Sequence, residues 1–217
     1  MADIFHEVDE EVRRERLKKI WDRYGILIIA LAVLIVAGVG GWRYYQHSQA
    51  QKAAVSGAAF DQALTLSEEG KRQEAEAALA AVASTGTSGY QALARLRAAA
   101  EIGQRDPKEA VAAFDRIAKD GSLDKKLQEL AGIRAGFLLL DSAPLDEMTG
   151  RLEPLTAAKS TFRHSARELL ALSAWRNGDM AASRRWSELI MSDAESPANL
   201  RSRIERLLAL TTPAGKG

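Results

Sequence analysis

The chain has 217 residues, 47% of them apolar but only 6% aromatic, and it has no cysteine. That length suits one domain with appendages, and the missing thiols exclude disulfides, thiolate nucleophiles and the commonest zinc sites. Thirty basic residues against 29 acidic ones leave a net charge of +1, so no global field points to nucleic acid or to an acidic substrate. The abundant alanine, leucine, arginine and glutamate side chains lose little freedom in helices, so an all-α chain is expected.

Residues 1–23 read as a leader. Ile4, Phe5, Val8, Val12, Leu17, Ile20 and Trp21 recur near a 3.6-residue period with arginines and glutamates opposite, which predicts an amphipathic helix over 3–22. The favoured reading is an extension of the helix that follows; the other is a docking segment for a partner or for lipid headgroups.

Residues 24–45 are predicted to cross a membrane. From Tyr24 to Trp42 no side chain is charged, and a helix over that run spans roughly 28 Å at about 1.5 Å per residue, close to the ~30 Å hydrocarbon core. Trp21 and Tyr24 precede the run, and Trp42, Tyr44 and Tyr45 follow it, as interfacial aromatics do. Tyr24, Trp42, Arg43 and Tyr44 are therefore the expected membrane anchor, with lipid as their partner. Seven acids ahead of the run, and bulky residues where a small-x-small cleavage site would stand, argue against a cleaved signal peptide. Arg13, Arg14, Arg16, Lys18, Lys19 and Arg23 on one flank outnumber Arg43 and Lys52 on the other, which predicts a cytoplasmic N-terminus and an exported remainder. Ala37 and Gly41 form one small-xxx-small pair. Gly38, Gly40 and Gly41 are not a phosphate loop, because no Gly-Lys-Ser/Thr follows.

Residues 46–210 keep a helical pattern with regular breaks. Gly70, the stretch Ser84–Gly89 and Asn177-Gly178-Asp179 are expected turns or loops. Asp106-Pro107-Lys108-Glu109 is an expected helix start with Glu109 returning to the cap. Ser122, Ser142 ahead of Pro144, and Ser196-Pro197 are further expected starts. A period underlies these breaks. Ala75, Ala110, Met148 and Ala182 fall 35, 38 and 34 residues apart; Leu79, Phe114, Leu152 and Trp186 follow four later, and Val82, Ile117, Leu155 and Leu189 seven later. Twelve residues before the marks stand Ala63, Ala98, Gly136 and Leu170, where two helices of a hairpin would cross. This is the pattern of a tetratricopeptide helix hairpin, in degenerate form: the first-helix tryptophan and tyrosine and most closing prolines are missing. Stacked hairpins share a core and curve into a right-handed solenoid with a concave groove. Phe60, Leu64, Arg95, Ile102 and Arg167 are the expected groove residues, although Phe60 and Leu64 suit packing against the next hairpin equally well. Residues 197–210 are expected to be a capping helix and 211–217 a flexible tail.

No catalytic or metal-binding constellation is visible. His6, His47 and His164 lie far apart in none of the ligand spacings, and there is no Gly-x-Ser-x-Gly elbow. Carboxylate pairs such as Glu68-Glu69 and Asp146-Glu147 sit where helix ends ordinarily carry charge. Trp186 beside Arg184 and Arg185 fills a repeat core position and does not make a nucleic-acid patch. A non-enzyme without cofactors is expected.

The chain resembles the YfgM-like ancillary subunits of the bacterial SecYEG translocon. The resemblance is carried by the charged leader, by the membrane helix ending in Gly41-Trp42-Arg43-Tyr44-Tyr45, by Ser67-Glu68-Glu69-Gly70-Lys71, and by Tyr90-Gln91-Ala92-Leu93-Ala94-Arg95-Leu96. It implies a single-pass protein of the bacterial inner membrane, with periplasmic repeats beside the translocon exit. Its partners would be the translocon, emerging exported polypeptides and a membrane-anchored prolyl-isomerase-like periplasmic chaperone. A regulatory role of the leader is a further implication. An envelope-assembly scaffold without translocon contact, in outer-membrane protein insertion or cell-wall synthesis, is the alternative.

Overall fold

The structure is a computed structural model. It describes the backbone of residues 3–211, together with the side chains of Arg14, Lys18 and residues 21–211. The apolar face expected for the leader, from Ile4 to Ile20, lies outside the described side chains, and residues 212–217 of the expected tail lie outside the described residues. Among the described residues every regular element is helical. The chain divides into two compact units between Ala54 and Val55.

The first unit consists of helix α1 (Asp3–Glu68), which also opens the second. Its backbone passes from the leader into the apolar run as one helix. Every residue from Ile26 to His47 is exposed. From Trp21 onward this is the one described helix long and apolar enough to cross a membrane.

The second unit continues with α2 (Arg72–Thr85), α3 (Ser88–Gly103), α4 (Pro107–Ala118), α5 (Lys125–Leu139) and α6 (Leu145–Leu152). A single 3-10 turn (Glu153–Leu155) follows, then α7 (Arg163–Arg176), α8 (Met180–Met191) and α9 (Ala198–Thr211). The end of α1 pairs with α2, α3 with α4, α5 with α6 and α7 with α8. Two of these hairpins turn in the same way. Gly70 and Gly178 have φ of 77° and 81°. At the first, the amide of Gly70 donates to Ser67 O and that of Lys71 to Leu66 O; at the second, Gly178 donates to Trp175 O and Asp179 to Ala174 O. Each is a Schellman motif, which needs a left-handed residue that only glycine adopts cheaply.

Apolar burial is parcelled. Ala63, Leu79, Val82 and Ala94 form one cluster, and Ala99, Ala113, Phe114, Ile117, Ala131 and Ala135 form a second. A third runs from Ile133 through Met148, Leu152, Leu169, Trp186 and Ile190 to Leu207. Each joins neighbouring hairpins, which is how a solenoid buries faces that one hairpin cannot bury alone. The close crossings follow the small residues. A Cβ built on Gly136 would lie 3.0 Å from Leu152 Cδ2 and 3.3 Å from Leu169 Cδ1.

The repeat register holds for Ala75, Ala110 and Met148, all fully buried, and shifts in the fourth hairpin. There Ser183, Ser187 and Ile190 are inside at 0% exposure, whereas Ala182 is half-buried and Leu189 is exposed. Serine can occupy the core side because Ser187 Oγ donates to the carbonyl of Ser183 one turn back, at 2.8 Å. Trp186 keeps its inside place, under the Arg185 guanidinium 5.0 Å from its ring. In α3 the buried position is Ala99, and Ala98 is half-buried.

Several expected helix ends move. Ser84 and Thr85 donate their hydroxyls to Ala81 O and extend α2, so only Gly86 and Thr87 separate it from α3. Asp106 caps α4 as expected, its Oδ1 accepting from the amides of Lys108 and Glu109 at 3.0 Å, while Glu109 turns to Arg105. Asp124, not Ser122, caps α5, because Ser122 is already bonded to Asp120. Pro144, not Ser142, precedes α6 and offers no side-chain cap. Ser196 donates back to Ile190 O at 2.7 Å and so fastens the α8–α9 connection rather than capping α9. The capping helix itself is present as α9, and Thr211, expected in the tail, closes it buried.

Candidate interaction surface

In the first unit Tyr24, Trp42, Arg43 and Tyr44 are all exposed. Arg23 lies 5.8 Å from the Tyr24 ring, and Trp42 and Tyr45 are tilted against each other at 6.3 Å. Rings at both ends of an exposed apolar helix, with cations beside them, have the chemistry of the boundary between hydrocarbon and water.

In the second unit the first helices of successive pairs touch: α3 meets α5, α5 meets α7 and α7 meets α9. They form one layer, with α2, α4, α6 and α8 behind it. All five expected groove residues lie on these first helices, and all five are half-buried. Phe60 packs, half-buried, against the first apolar cluster and tilts against Tyr90 with centroids 6.0 Å apart. The Ile102 carbonyl closes α3 by accepting the amides of Arg105 and Asp106. Arg95 holds Asp120 at 2.7 Å. Arg167 reaches Asp193 at 3.0 Å, Thr156 O at 3.0 Å and Leu189 O at 3.2 Å. The two arginines thus sit in separate networks and are not gathered on one ligand.

Those networks hold hairpins together. Asp120 accepts from the Ser122 hydroxyl and amide and from Arg95, which lower its pKa to about 2. Asp193 is held by Arg163, by the Glu195 amide, and by His164 and Arg167, and its pKa lies well below the usual carboxylate range. Arg163, which also touches Glu195, is pushed up in turn. His164 Nε2 is 3.0 Å from Asp193, but a carboxylate neutralised by two guanidiniums is a poor base. The chemistry here is that of an ion cluster tying α7 to the α8–α9 connection. Among the described residues no group of three or more His, Cys, Asp or Glu is placed to hold a metal.

Two features of this surface escape the sequence reading. One is the carboxylate of Glu101, 2% exposed, which accepts from Ser67 Oγ at 2.6 Å, Arg97 Nη2 at 2.6 Å and Gln104 Nε2 at 3.3 Å. Its signal is a polar pair 34 residues apart, one repeat length. The other is Phe137 on α5, 51% exposed at a cleft of about 260 Å³. Ala100 and Gly103 of α3, Gln104 just after it, Arg134 and Leu138 of α5 and the buried Phe114 of α4 line that cleft. Phe137 follows Gly136 as Leu64 follows Ala63, so the offset that selects Leu64 also selects Phe137.

Comparison with known proteins agrees with this architecture. The family described as Tetratricopeptide repeat-like domain matches residues 18–187. A protein of Aggregatibacter actinomycetemcomitans called "Ancillary SecYEG translocon subunit" is 28% identical over 165 residues, covering 76% of this chain and 79% of its own length. A protein of the same name from Haemophilus influenzae is 24% identical over 147 residues, covering 68% and 72%. No solved structure matches. Helix pairs repeating at one period, small residues at their crossings and a family match over most of the chain agree, and the chain belongs to the tetratricopeptide repeat-like domain family.

Proposed function

We propose that this protein is a membrane-anchored interaction module of the Sec export machinery. The observation that carries the reading is the likeness to two ancillary SecYEG translocon subunits over 76% and 68% of the chain. The apolar part of α1 is the anchor, with Tyr24, Trp42, Arg43 and Tyr44 at its ends. The charged leader stays in the cytoplasm and the hairpins stand in the periplasm of a bacterial cell. The first-helix layer, with Phe60, Leu64, Arg95, Ile102 and Arg167 along it, meets partner proteins. The hairpins help pass exported polypeptides from the translocon to a membrane-anchored, prolyl-isomerase-like chaperone. The role is binding, with no catalytic step.

Purification from membranes in mild detergent tests it: SecYEG is expected to accompany the chain. Recovery of outer-membrane insertion or cell-wall synthesis machinery without SecYEG overturns the reading in favour of an envelope-assembly scaffold. Photo-crosslinkers at Phe60 and Arg95 are expected to capture translocon or chaperone subunits. Orientation has its own readout, since the chain has no cysteine of its own. Ser48→Cys should react with a membrane-impermeant maleimide added outside the inner membrane, and Arg14→Cys should not.

A further inference from the structure

The cleft at Phe137 has a neighbour. A second, of about 140 Å³, is lined by Pro107, Lys108 and Val111 of α4, by Leu138 and Leu139, and by Ser142. Leu138 stands in the wall of both. Both are smaller than the roughly 300–1,000 Å³ of small-molecule pockets, and they suit single side chains of a partner.

Charge gives the partner's chemistry. Each cleft has one cation in its lining, Arg134 in the larger and Lys108 in the smaller, and no acidic side chain lines either. Elsewhere in this unit Arg95, Arg97, Arg151, Arg163, Arg167 and Arg203 each hold a carboxylate, while other cations such as Arg116 and Arg185 hold none but line neither cleft. The Arg134 guanidinium and the Lys108 ammonium have no such partner among the described residues. Cations left unmatched beside apolar hollows are complementary to a surface that brings both apolar groups and carboxylates.

We propose that this pair of clefts docks a helix of a partner protein, one apolar side chain entering on either side of Leu138 and acidic residues reaching Arg134 and Lys108. Side chains one turn apart on a helix are about 5–6 Å apart at Cβ. A row of them straddling a leucine ridge is ridges-into-grooves packing. The assignment rests on the interaction-module reading and gives it a site and a partner chemistry.

The test uses the full chain in nanodiscs of neutral lipid. The probe is a fluorescent lactam-stapled peptide with two leucines one turn apart flanked by glutamates, compared with the same peptide carrying lysines. The glutamate peptide is expected to bind about tenfold more tightly. Arg134→Glu should abolish or invert that preference, Phe137→Ala should weaken both peptides, and Arg116→Glu, an exposed arginine outside both clefts, should leave the ratio unchanged. Circular dichroism confirms that each variant is folded. Equal binding of the two peptides, or a ratio unmoved by Arg134→Glu, overturns the proposal. Nanodiscs of anionic lipid that block the glutamate peptide also overturn it, by reassigning the clefts to lipid. SecYEG co-purification by the unsubstituted chain is scored separately. If it persists while the peptides bind equally, only the cleft assignment fails; if it is lost, the interaction reading itself fails.

Discussion

One of the buried side chains of the second unit is a charged one. Glu101 is almost fully buried, and it holds its place because Ser67, Arg97 and Gln104 all donate to it. Removing a donor leaves a carboxylate that water cannot reach. Arg97→Leu should therefore destabilise the chain by about 2 kcal/mol. Adding Glu101→Leu to it should recover part of that loss, because the stranded charge goes too; denaturant titration in detergent measures both. Asp120 gives a pH signature. Its folded pKa of about 2 lies below the usual carboxylate value of about 3.9. Its stabilising contribution is thus complete above about pH 4 and is lost as pH falls towards 2. The unfolding temperature of Asp120→Asn should change less between pH 5 and pH 2 than that of the unsubstituted chain. Neither carboxylate stands out in the sequence. What marks them is a partner far along the chain, and a search for apolar spacing is blind to that.

At the scale of the helix, the fourth hairpin shows what patterning reads and what it misreads. Ala182, Trp186 and Leu189 satisfy the small–large–apolar rule, yet the buried row is Ser183, Ser187 and Ile190. Helical geometry allows both rows, and hydrophobicity alone selects the wrong one because a serine can satisfy its hydroxyl within its own helix. Ser187 does this; Ser183 Oγ is buried and has no hydrogen-bond partner. Ser183→Ala should accordingly stabilise the chain by about 1 kcal/mol, and it would place there the residue that α2 and α4 already use at Ala75 and Ala110. Gly178→Ala should act oppositely, costing about 1–2 kcal/mol through its left-handed backbone. Thermal unfolding of the two single variants checks both signs. Turn glycines were legible because the requirement is local. Helix starts at Ser122, Ser142 and Ser196 were not, because each serine is drawn off by a nearer carboxylate or carbonyl, or displaced by proline.

Across the whole second unit the repeat that is faint in apolar residues returns in polar ones. Ser67 to Glu101 spans 34 residues, Arg203 to Glu168 spans 35, Arg176 to Asp141 O spans 35 and Arg151 to Asp115 spans 36. Each joins corresponding points of adjacent hairpins. The hairpin architecture was legible because three pairs keep one register and the fourth departs from it by a single residue, whereas the cleft beside Phe137 was not, since it exists only where three helices meet. At the far end α9 buries Leu200, Ile204 and Leu207 and leaves Ser202, Glu205 and Arg206 in water. An outer face that is polar apart from Ala209 and Leu210 suits the end of a solenoid. Truncation after Ser196 should uncover Trp186 and Ile190 and make the chain aggregate, which size-exclusion chromatography would show.

The division of the apolar interior into three successive clusters also bears on kinetics. Nearly every stabilising contact joins residues within about one repeat of each other, and chains with such short-range contacts fold quickly. The first cluster needs nothing beyond α3, and the second nothing beyond α5. A chain released N-terminus first can therefore complete each cluster in the order of its synthesis, with little apolar surface waiting for a distant partner.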